Sequence, residues 1–438
     1  MRFHHTIVVL AWLTLTPLHG QDTPSDQPNL VAMTAQDEAI DTYREHLIFL
    51  AHPALEGRLP GERGCAIAEE MISTTFRQLG LDSPESLTDY RDSFEFRQGG
   101  RFGSNADSKV VTGNNICAVL PGQGGLEDEW VILGAHHDHL GRGEFGSRSP
   151  DGQIHEGADD NASGTAAVLL AAGLLRDIFI DDGGPRRSIL FITFSGEESG
   201  LNGSRHYAED PVVPLSQTTA MINLDMVGRL VDDEIQLTGL GSGKGFNQIV
   251  TGVDADSTLK IRKGESLTSR SDHASFYDKG VPVLFLTATV FSDDYHTSRD
   301  DASRINFEGG ANAAILAAEL VRRLAVSSDS PVFTEIEGMT SAGDGPSFSD
   351  IKIRFGIKPG NYGDLEPGIL VSGVSPGTSA QDGGVLTGDI MVRWNGRAID
   401  DVRAWMGMMA EHEPGDVVTV TVLRDDSEID LPIMLKPK

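Results

Sequence analysis

Residues 194–200 read Phe-Ser-Gly-Glu-Glu-Ser-Gly, placing the adjacent acids Glu197 and Glu198 in a glycine-flanked turn after the apolar run Ser188 to Phe194. A buried strand there delivers both carboxylates to its end, and Gly196 and Gly200 allow the kink that aims consecutive side chains at one centre. One carboxylate can then hold a metal ion while the other moves protons. Upstream, Val131 to Ala135 reads as a buried strand running into His136-His137-Asp138-His139. Alternation puts His136 and Asp138 on one face, with His137 and His139 on the other. A ligating imidazole usually gives its second ring N–H to a carboxylate, and Asp138 is placed to accept it. His137, His139 and His155 read as ordinary surface or core histidines. The loop Gly157-Ala158-Asp159-Asp160-Asn161-Ala162-Ser163-Gly164 feeds an Ala- and Leu-rich helix, Thr165 to Ile178. Its paired acids can cap that helix or share oxygens between metal ions. Asp225 lies near the end of the apolar segment Ala220 to Gly228, where an uncompensated carboxylate is costly. His296 follows the strand Val281 to Ala288 in the polar loop Tyr295 to Asp301 and offers a further nitrogen.

These motifs, with Asn223-Leu224-Asp225, Ser271-Asp272-His273 and Tyr295-His296-Thr297, stand in the order seen in the co-catalytic di-zinc aminopeptidases. The chain resembles that family over roughly residues 36 to 326. The group includes the secreted bacterial leucyl aminopeptidases and is related to glutamate carboxypeptidase II and the glutaminyl cyclases. The resemblance implies two zinc ions, one held by His136 and Asp225, the other by Glu198 and His296, with Asp160 bridging them. It also implies Glu197 as general base, Asp138 as the partner behind His136, and a cis bond between Asp160 and Asn161. Peptides with a free N-terminus are the implied substrates. The alternatives are carboxypeptidase or glutaminyl cyclase chemistry on the same fold, or a degenerate hydrolase serving as a peptide-binding scaffold. Cyclisation typically uses one zinc ion, whereas ligands for two are present, and an intact cluster of acids speaks against a scaffold. Some relatives carry a Tyr before Ser-Asp-His; Ser266 to Arg270 contains none, which leaves Arg270, Tyr277 and Tyr295 as candidates to assist the oxyanion.

The elements that must position these groups are legible as patterns. Asp37 to Ala51 and Gly64 to Leu81 read as helices, the second with Ala66, Ile67, Met71, Ile72 and Phe76 near one face. Ser93 to Arg97 and Asn115 to Leu120 alternate as strands. Helices separate most later strands, which predicts an α/β fold with a mostly parallel central sheet, helices on both faces and ligands at strand ends. Asn306 to Ala325 closes this unit, while Asp232 to Gly245 and Thr287 to Asp294 read as loops that shape the specificity pocket.

Composition then changes: residues 327–348 are rich in Ser, Gly, Pro and Thr and read as a linker. Residues 349–438 predict short strands at 351–357, 368–374, 390–394, 417–424 and 429–435, with a helix at 401–411. This β-rich segment resembles a PDZ domain of the bacterial protease type through Phe355-Gly356-Ile357, Val374 to Ala380, Gly384 to Asp389 and Val392 to Gly396. Such a module adds an extended peptide to an open sheet edge and captures a terminal carboxylate on backbone N–H groups. Phe355, Gly356 and Ile357 are the expected binding loop, and a peptide or protein C-terminus the expected partner; an accessory domain that only packs is the alternative.

A formal charge of -30 over 438 residues argues against binding nucleic acid or anionic membranes, which requires a basic face. Arg2, the apolar stretch Thr6 to Leu18 and Leu18-His19-Gly20 read as a signal peptide, residues 1–20, followed by a loose leader, residues 21–35. The expectation is an exported protein, periplasmic or secreted, with no membrane span after signal removal. Export permits a disulfide between Cys65 and Cys117; two buried thiols are the alternative.

Overall fold

The computed structural model describes residues 36–98, 109–143, 146–148, 152–290, 292–336, 351–359, 368–399, 402–424 and 427–438. The expected signal peptide and leader, and residues 337–348 of the expected linker, lie outside these. The first unit runs α1 (Gln36–Leu50), α2 (Arg63–Gln78), β1 (Arg91–Gln98), β2 (Lys109–Leu120), β3 (Trp130–His136), α3 (Gly164–Phe179), β4 (Ser188–Phe194), α4 (Asn202–Glu209), β5 (Thr218–Leu224), β6 (Glu234–Thr238), β7 (Gly243–Lys244), α5 (Phe246–Asp256), β8 (Lys260–Lys263), α6 (His273–Tyr277), β9 (Val283–Ala288), α7 (Phe307–Val326) and β10 (Val332–Phe333).

Eight of these strands form one sheet in the order β1-β2-β4-β3-β5-β9-β6-β8. Its centre, β4-β3-β5-β9, is parallel, whereas β1 on β2, β2 on β4 and β6 on β9 are antiparallel. The sheet is therefore mixed with a parallel core. Every residue of β4 and β5 is buried, as expected for strands covered on both faces. Alternation divides β4 between two cores: Ile189 and Phe191 face a layer of α1, α3 and α7, while Leu190, Ile192 and Phe194 face Tyr207 of α4 and Phe276 of α6. On the first face α1 approaches α7 closely enough that a Cβ on Gly310 would lie 2.3 Å from Tyr43 Oη. The N-cap Asn306 accepts the Gly309 N–H at 2.9 Å and starts α7 where sequence placed it. The parallel register sets His136 opposite Phe194 and Gly134 opposite Asn223, so β3, β4 and β5 release their chains at one sheet end.

One expectation is corrected, and one choice that sequence left open is decided. The segment 232–245 is not a loop throughout, since it contains β6 and β7. β6 pairs with β8, whose Lys-Ile-Arg-Lys sequence lacks the apolar run that marks a buried strand. Both Cys65 and Cys117 are buried free thiols with no disulfide between them.

The second unit runs β11 (Ile357–Pro359), β12 (Ile369–Val374), α8 (Ser379–Asp382), β13 (Ile390–Trp394), β14 (Arg397–Ala398), α9 (Val402–Ala410), β15 (Val417–Arg424) and β16 (Ser427–Met434). Its sheet is antiparallel in the order β11-β12-β13-β15-β16, with β14 on β13. The strand expected over 351–357 is shorter and later than predicted: Ile353 makes an isolated bridge to Pro437, and β11 begins at Ile357. Phe355 fills the core of this unit, with its ring 5.2 Å from those of both Trp394 and Trp405. Its side chain therefore packs inward, and the expected binding loop offers main chain rather than this ring. Gly356 has φ +95°, and a Cβ there would lie 2.2 Å from Thr378 Cβ, so only glycine fits without displacement.

Candidate metal centre

His136 ends β3, Glu197 and Glu198 follow β4 by three and four residues, and Asp225 follows β5 directly. Strand register thus places four of the predicted groups together before any loop is considered. The fifth, Asp160, comes from the turn that opens α3, where Asp160-Asn161 is a cis peptide bond. Gly157 makes this turn possible with φ +60°; a Cβ there would lie 2.3 Å from the Asp160 carbonyl oxygen. Asn161 anchors the turn, accepting the Gly164 N–H at 2.8 Å and donating to the Leu224 carbonyl at 3.0 Å. His296 arrives from the loop after β9 with φ +54°, and its Nδ1 faces the Gly146 carbonyl at 3.0 Å, which turns Nε2 inward.

The resulting geometry has two halves joined by Asp160. His136 Nε2 lies 3.3 Å from Asp160 Oδ1 and 3.5 Å from Asp225 Oδ1. His296 Nε2 lies 3.1 Å from Asp160 Oδ2 and 2.9 Å from Glu198 Oε2. The two oxygens of one carboxylate therefore face two separate histidine–carboxylate pairs. Asp225 Oδ2 accepts Ser271 Oγ–H at 2.7 Å, but its Oδ1, which faces the centre, has no hydrogen-bond partner among the described residues.

Glu197 is not in contact with either imidazole; its main-chain N–H donates to Asp138 Oδ1 at 3.1 Å. The support behind His136 differs from the sequence reading. His136 Nδ1 meets the Asp138 carbonyl oxygen at 3.2 Å, whereas the carboxylate, at 3.7 Å, is too far for a hydrogen bond. Asp138 thus supports His136 through its main chain and Glu197 through its side chain.

Electrostatics follow from crowding acids in the interior. Burial alone would lower the His136 pKa, but Asp225 and Glu197 outweigh it and raise the value well above normal. The same contest, with Glu198 and Asp160 as the acids, raises His296. Burial would raise Asp160 and Glu198, yet the facing imidazoles hold Asp160 well below the ordinary range and, with His139, hold Glu198 at about 2. Glu197 is pushed well up, first by burial and then by Glu198, Asp272 and Asp225. A group of acids that recruits protons onto both imidazoles is one that divalent cations can satisfy instead. The oxygen and nitrogen donors suit zinc, and Asp225 Oδ1 and His296 Nε2, which face the other donors without a hydrogen bond among the described residues, fit the ligand role.

Several contributors were not foreseen. His139, read as ordinary, is fully buried with Nδ1 2.7 Å from Glu198 Oε1. Arg58 is also buried and donates to the carbonyls of His137 at 2.7 Å and Gly157 at 2.9 Å, tying the chain after β3 to the Asp160 turn. The Asp300 carboxylate accepts the main-chain N–H groups of Asp159 at 3.1 Å and Asp160 at 3.0 Å, and itself receives Arg229 Nη2 at 2.7 Å. Burial and the Asp300 charge push Asp159 up to about 8. Of the three candidates for oxyanion assistance, Tyr277 accepts the Ile336 N–H at 2.7 Å within an apolar cluster, whereas Tyr295 stacks on His296 with ring centroids 3.8 Å apart.

Comparison with known proteins agrees with this geometry. Residues 115–321 match the model of peptidase family M28, and residues 353–435 match that of the PDZ domain. A leucine aminopeptidase 1 from Arthroderma gypseum is 30% identical over 229 residues, covering 48% of this chain and 58% of that protein. A probable leucine aminopeptidase from Arthroderma otae is 29% identical over 201 residues, covering 44% and 52%. The chain thus spans little more than half the length of these curated relatives. Among solved structures, BSAP, a zinc aminopeptidase from Bacillus subtilis, superposes with TM-score 0.52 at 17% identity, covering 68% of this chain and 98% of that one. The LapA aminopeptidase of Legionella pneumophila does so with TM-score 0.51 at 18% identity, covering 74% and 81%. At such identities these two establish the shared fold. The M28 match over residues 115–321 contains His136, Asp160, Glu197, Glu198, Asp225 and His296, and the PDZ match covers residues 353–435.

Proposed function

We propose that this chain is an exported zinc aminopeptidase that uses two metal ions and Glu197 as its general base. The carrying observation is that Asp160 turns one oxygen to His136 and the other to His296 and Glu198, the disposition a bridging carboxylate needs. His136 and Asp225 would hold one ion, Glu198 and His296 the other. Two zinc ions there would supply Lewis acidity, which lowers the pKa of water and polarises a scissile carbonyl.

Glu197 does the proton work. It is left out of both histidine–carboxylate pairs, so its carboxylate remains available to take a proton and return it. The Glu197 carboxylate removes a proton from the attacking water and delivers it to the leaving nitrogen. Asp138, holding the Glu197 main chain, fixes where that carboxylate starts. Tyr295, stacked on His296, is the phenol we assign to donate to the developing oxyanion. A free N-terminal amine has a lone pair that a metal ion held there would accept, whereas an acetylated nitrogen has none to offer. The similarity to leucine aminopeptidases supports the same substrate class.

In the PDZ domain, β11 ends the sheet order and pairs only with β12 among the described residues, so its outer edge is the proposed seat of an extended peptide. Zinc-loaded enzyme should cleave free-amine peptides and spare their N-acetylated forms, and chelation should abolish activity. Equal cleavage of both peptides would refute the aminopeptidase reading. Export rests on residues 1–20, and a mature N-terminus that retains them would refute it.

A further inference from the structure

Behind the centre just described, α2 and the end of β3 enclose a second group of donors. Cys65 and Glu69 are four residues apart on α2 and share its buried side. Cys65 Sγ lies 3.7 Å from Glu69 Oε1, and His137 Nε2 lies 3.8 Å from the same oxygen. The thiol, the carboxylate oxygen and the imidazole nitrogen all lie within 4.8 Å of one another, and all three residues are buried. Donors around a tetrahedral zinc ion, with bonds near 2.0 to 2.3 Å, are spaced by about 3.4 to 3.8 Å. Two of the three spacings, 3.7 and 3.8 Å, already match that before any ion draws the donors in.

Protein partners do not account for this arrangement. His137 Nδ1 is held by Thr193 Oγ1 at 3.0 Å, which fixes the ring, but the buried Nε2 has no hydrogen-bond partner among the described residues. Glu69 Oε2 accepts Asn114 Nδ2–H at 2.9 Å, while Oε1 accepts the Cys65 thiol and, among the described residues, otherwise faces the His137 imidazole. The neighbouring Arg58 directs its donors to the main-chain carbonyls of Leu50, His137, Glu156 and Gly157 rather than to Glu69. A buried carboxylate with no ion-pairing arginine or lysine among the described residues, and beside it an imidazole nitrogen without a hydrogen bond, are two costs that one divalent cation would remove.

We propose that Cys65, Glu69 and His137 form a further metal site, for a thiophilic divalent cation such as zinc, separate from the centre around Asp160. A thiolate and a carboxylate neutralise a doubly charged ion, so the loaded site carries no net charge and suits the interior. Loading releases the Cys65 proton, which the ion displaces as the sulfur bond forms. Burial, with the Glu69 and Asp138 charges, raises the Cys65 pKa well above normal, so the empty site keeps that proton. The ion would pin α2 to the strand end that carries His136.

Cobalt(II) loading of the full chain distinguishes the two sites, because the donors around Asp160 are nitrogen and oxygen only. A thiolate-to-cobalt charge-transfer band in the near ultraviolet is expected in the natural protein and in Cys117→Ser, whose altered residue lies in an apolar cluster. The band should vanish in Cys65→Ser and weaken in Glu69→Gln. Cys65→Ser should also bind about one equivalent less metal while keeping its cobalt d–d bands and aminopeptidase activity. Lack of the band in folded, cobalt-loaded natural protein, or its survival in Cys65→Ser, would overturn the proposal. If Cys65→Ser does not fold, the natural protein and Cys117→Ser still decide it. Loss of peptidase function with the band intact would count against the Asp160 centre alone.

Discussion

Asp300 is remote in sequence from Asp160, yet its carboxylate accepts the main-chain N–H groups of both Asp159 and Asp160 and binds Arg229. Replacing it with Asn keeps the shape but removes the charge and turns one acceptor into a donor. If the amide nitrogen takes the Oδ2 position, it faces two N–H groups; if it takes the Oδ1 position, it faces the Arg229 guanidinium. Either way at least one buried charge-assisted hydrogen bond is lost, at about 1.5 to 3 kcal/mol. Relief of repulsion with Asp159, whose pKa stands at about 8, partly offsets this. We expect urea unfolding of the chelated Asp300→Asn protein to show a loss of about 1 to 3 kcal/mol. Because the displaced turn carries Asp160, zinc affinity measured by competition with a chromophoric chelator should fall about 10- to 100-fold. Unchanged stability together with unchanged zinc affinity would refute the claim that Asp300 holds the Asp160 turn.

Three further outcomes follow from named groups. Glu197→Gln should retain bound zinc while kcat falls by at least about 100-fold, and full turnover would remove Glu197 from its role. Tyr295→Phe should lower kcat about 10- to 100-fold with little change in zinc content; an unaltered kcat would exclude its hydroxyl from the reaction. In the PDZ domain, burial would raise the Asp389 pKa, but Arg424 and the Leu386 N–H outweigh it and lower the value. A carboxylate depressed in the folded state stabilises above its unfolded pKa, near 3.9, and loses that contribution as pH falls through the folded value. The stability advantage over Asp389→Asn, followed by tryptophan fluorescence, should be full at about pH 6 and shrink below about pH 4. An advantage that grows with acidification would refute this sign.

The groups that proved legible in sequence are those that end apolar strands. His136, Glu197, Glu198 and Asp225 follow buried runs directly, and parallel register brings strand ends together without help from loops. His139 was missed because two-residue alternation was extended past His136, where the chain has left the strand and turns this ring back to Glu198. Arg58 and Asp300 leave no local signal either. The contacts that tie them to the centre are with main-chain carbonyl and N–H groups 79 to 141 residues away, so residue type at the contacted positions carries no information. Asp138 was recognised, but its carboxylate and carbonyl divide their roles in a way that spacing alone does not fix. β6 and β8 were overlooked because a short, mostly polar strand near a sheet edge lacks the apolar run that identified β3, β4 and β5.

Anomalous scattering at the zinc edge from a zinc-loaded crystal tests the central claim most directly. Two peaks should flank Asp160, one contacting His136 and Asp225 and the other Glu198 and His296. A single peak beside Asp160, or two peaks that leave its carboxylate uncoordinated, would contradict the account.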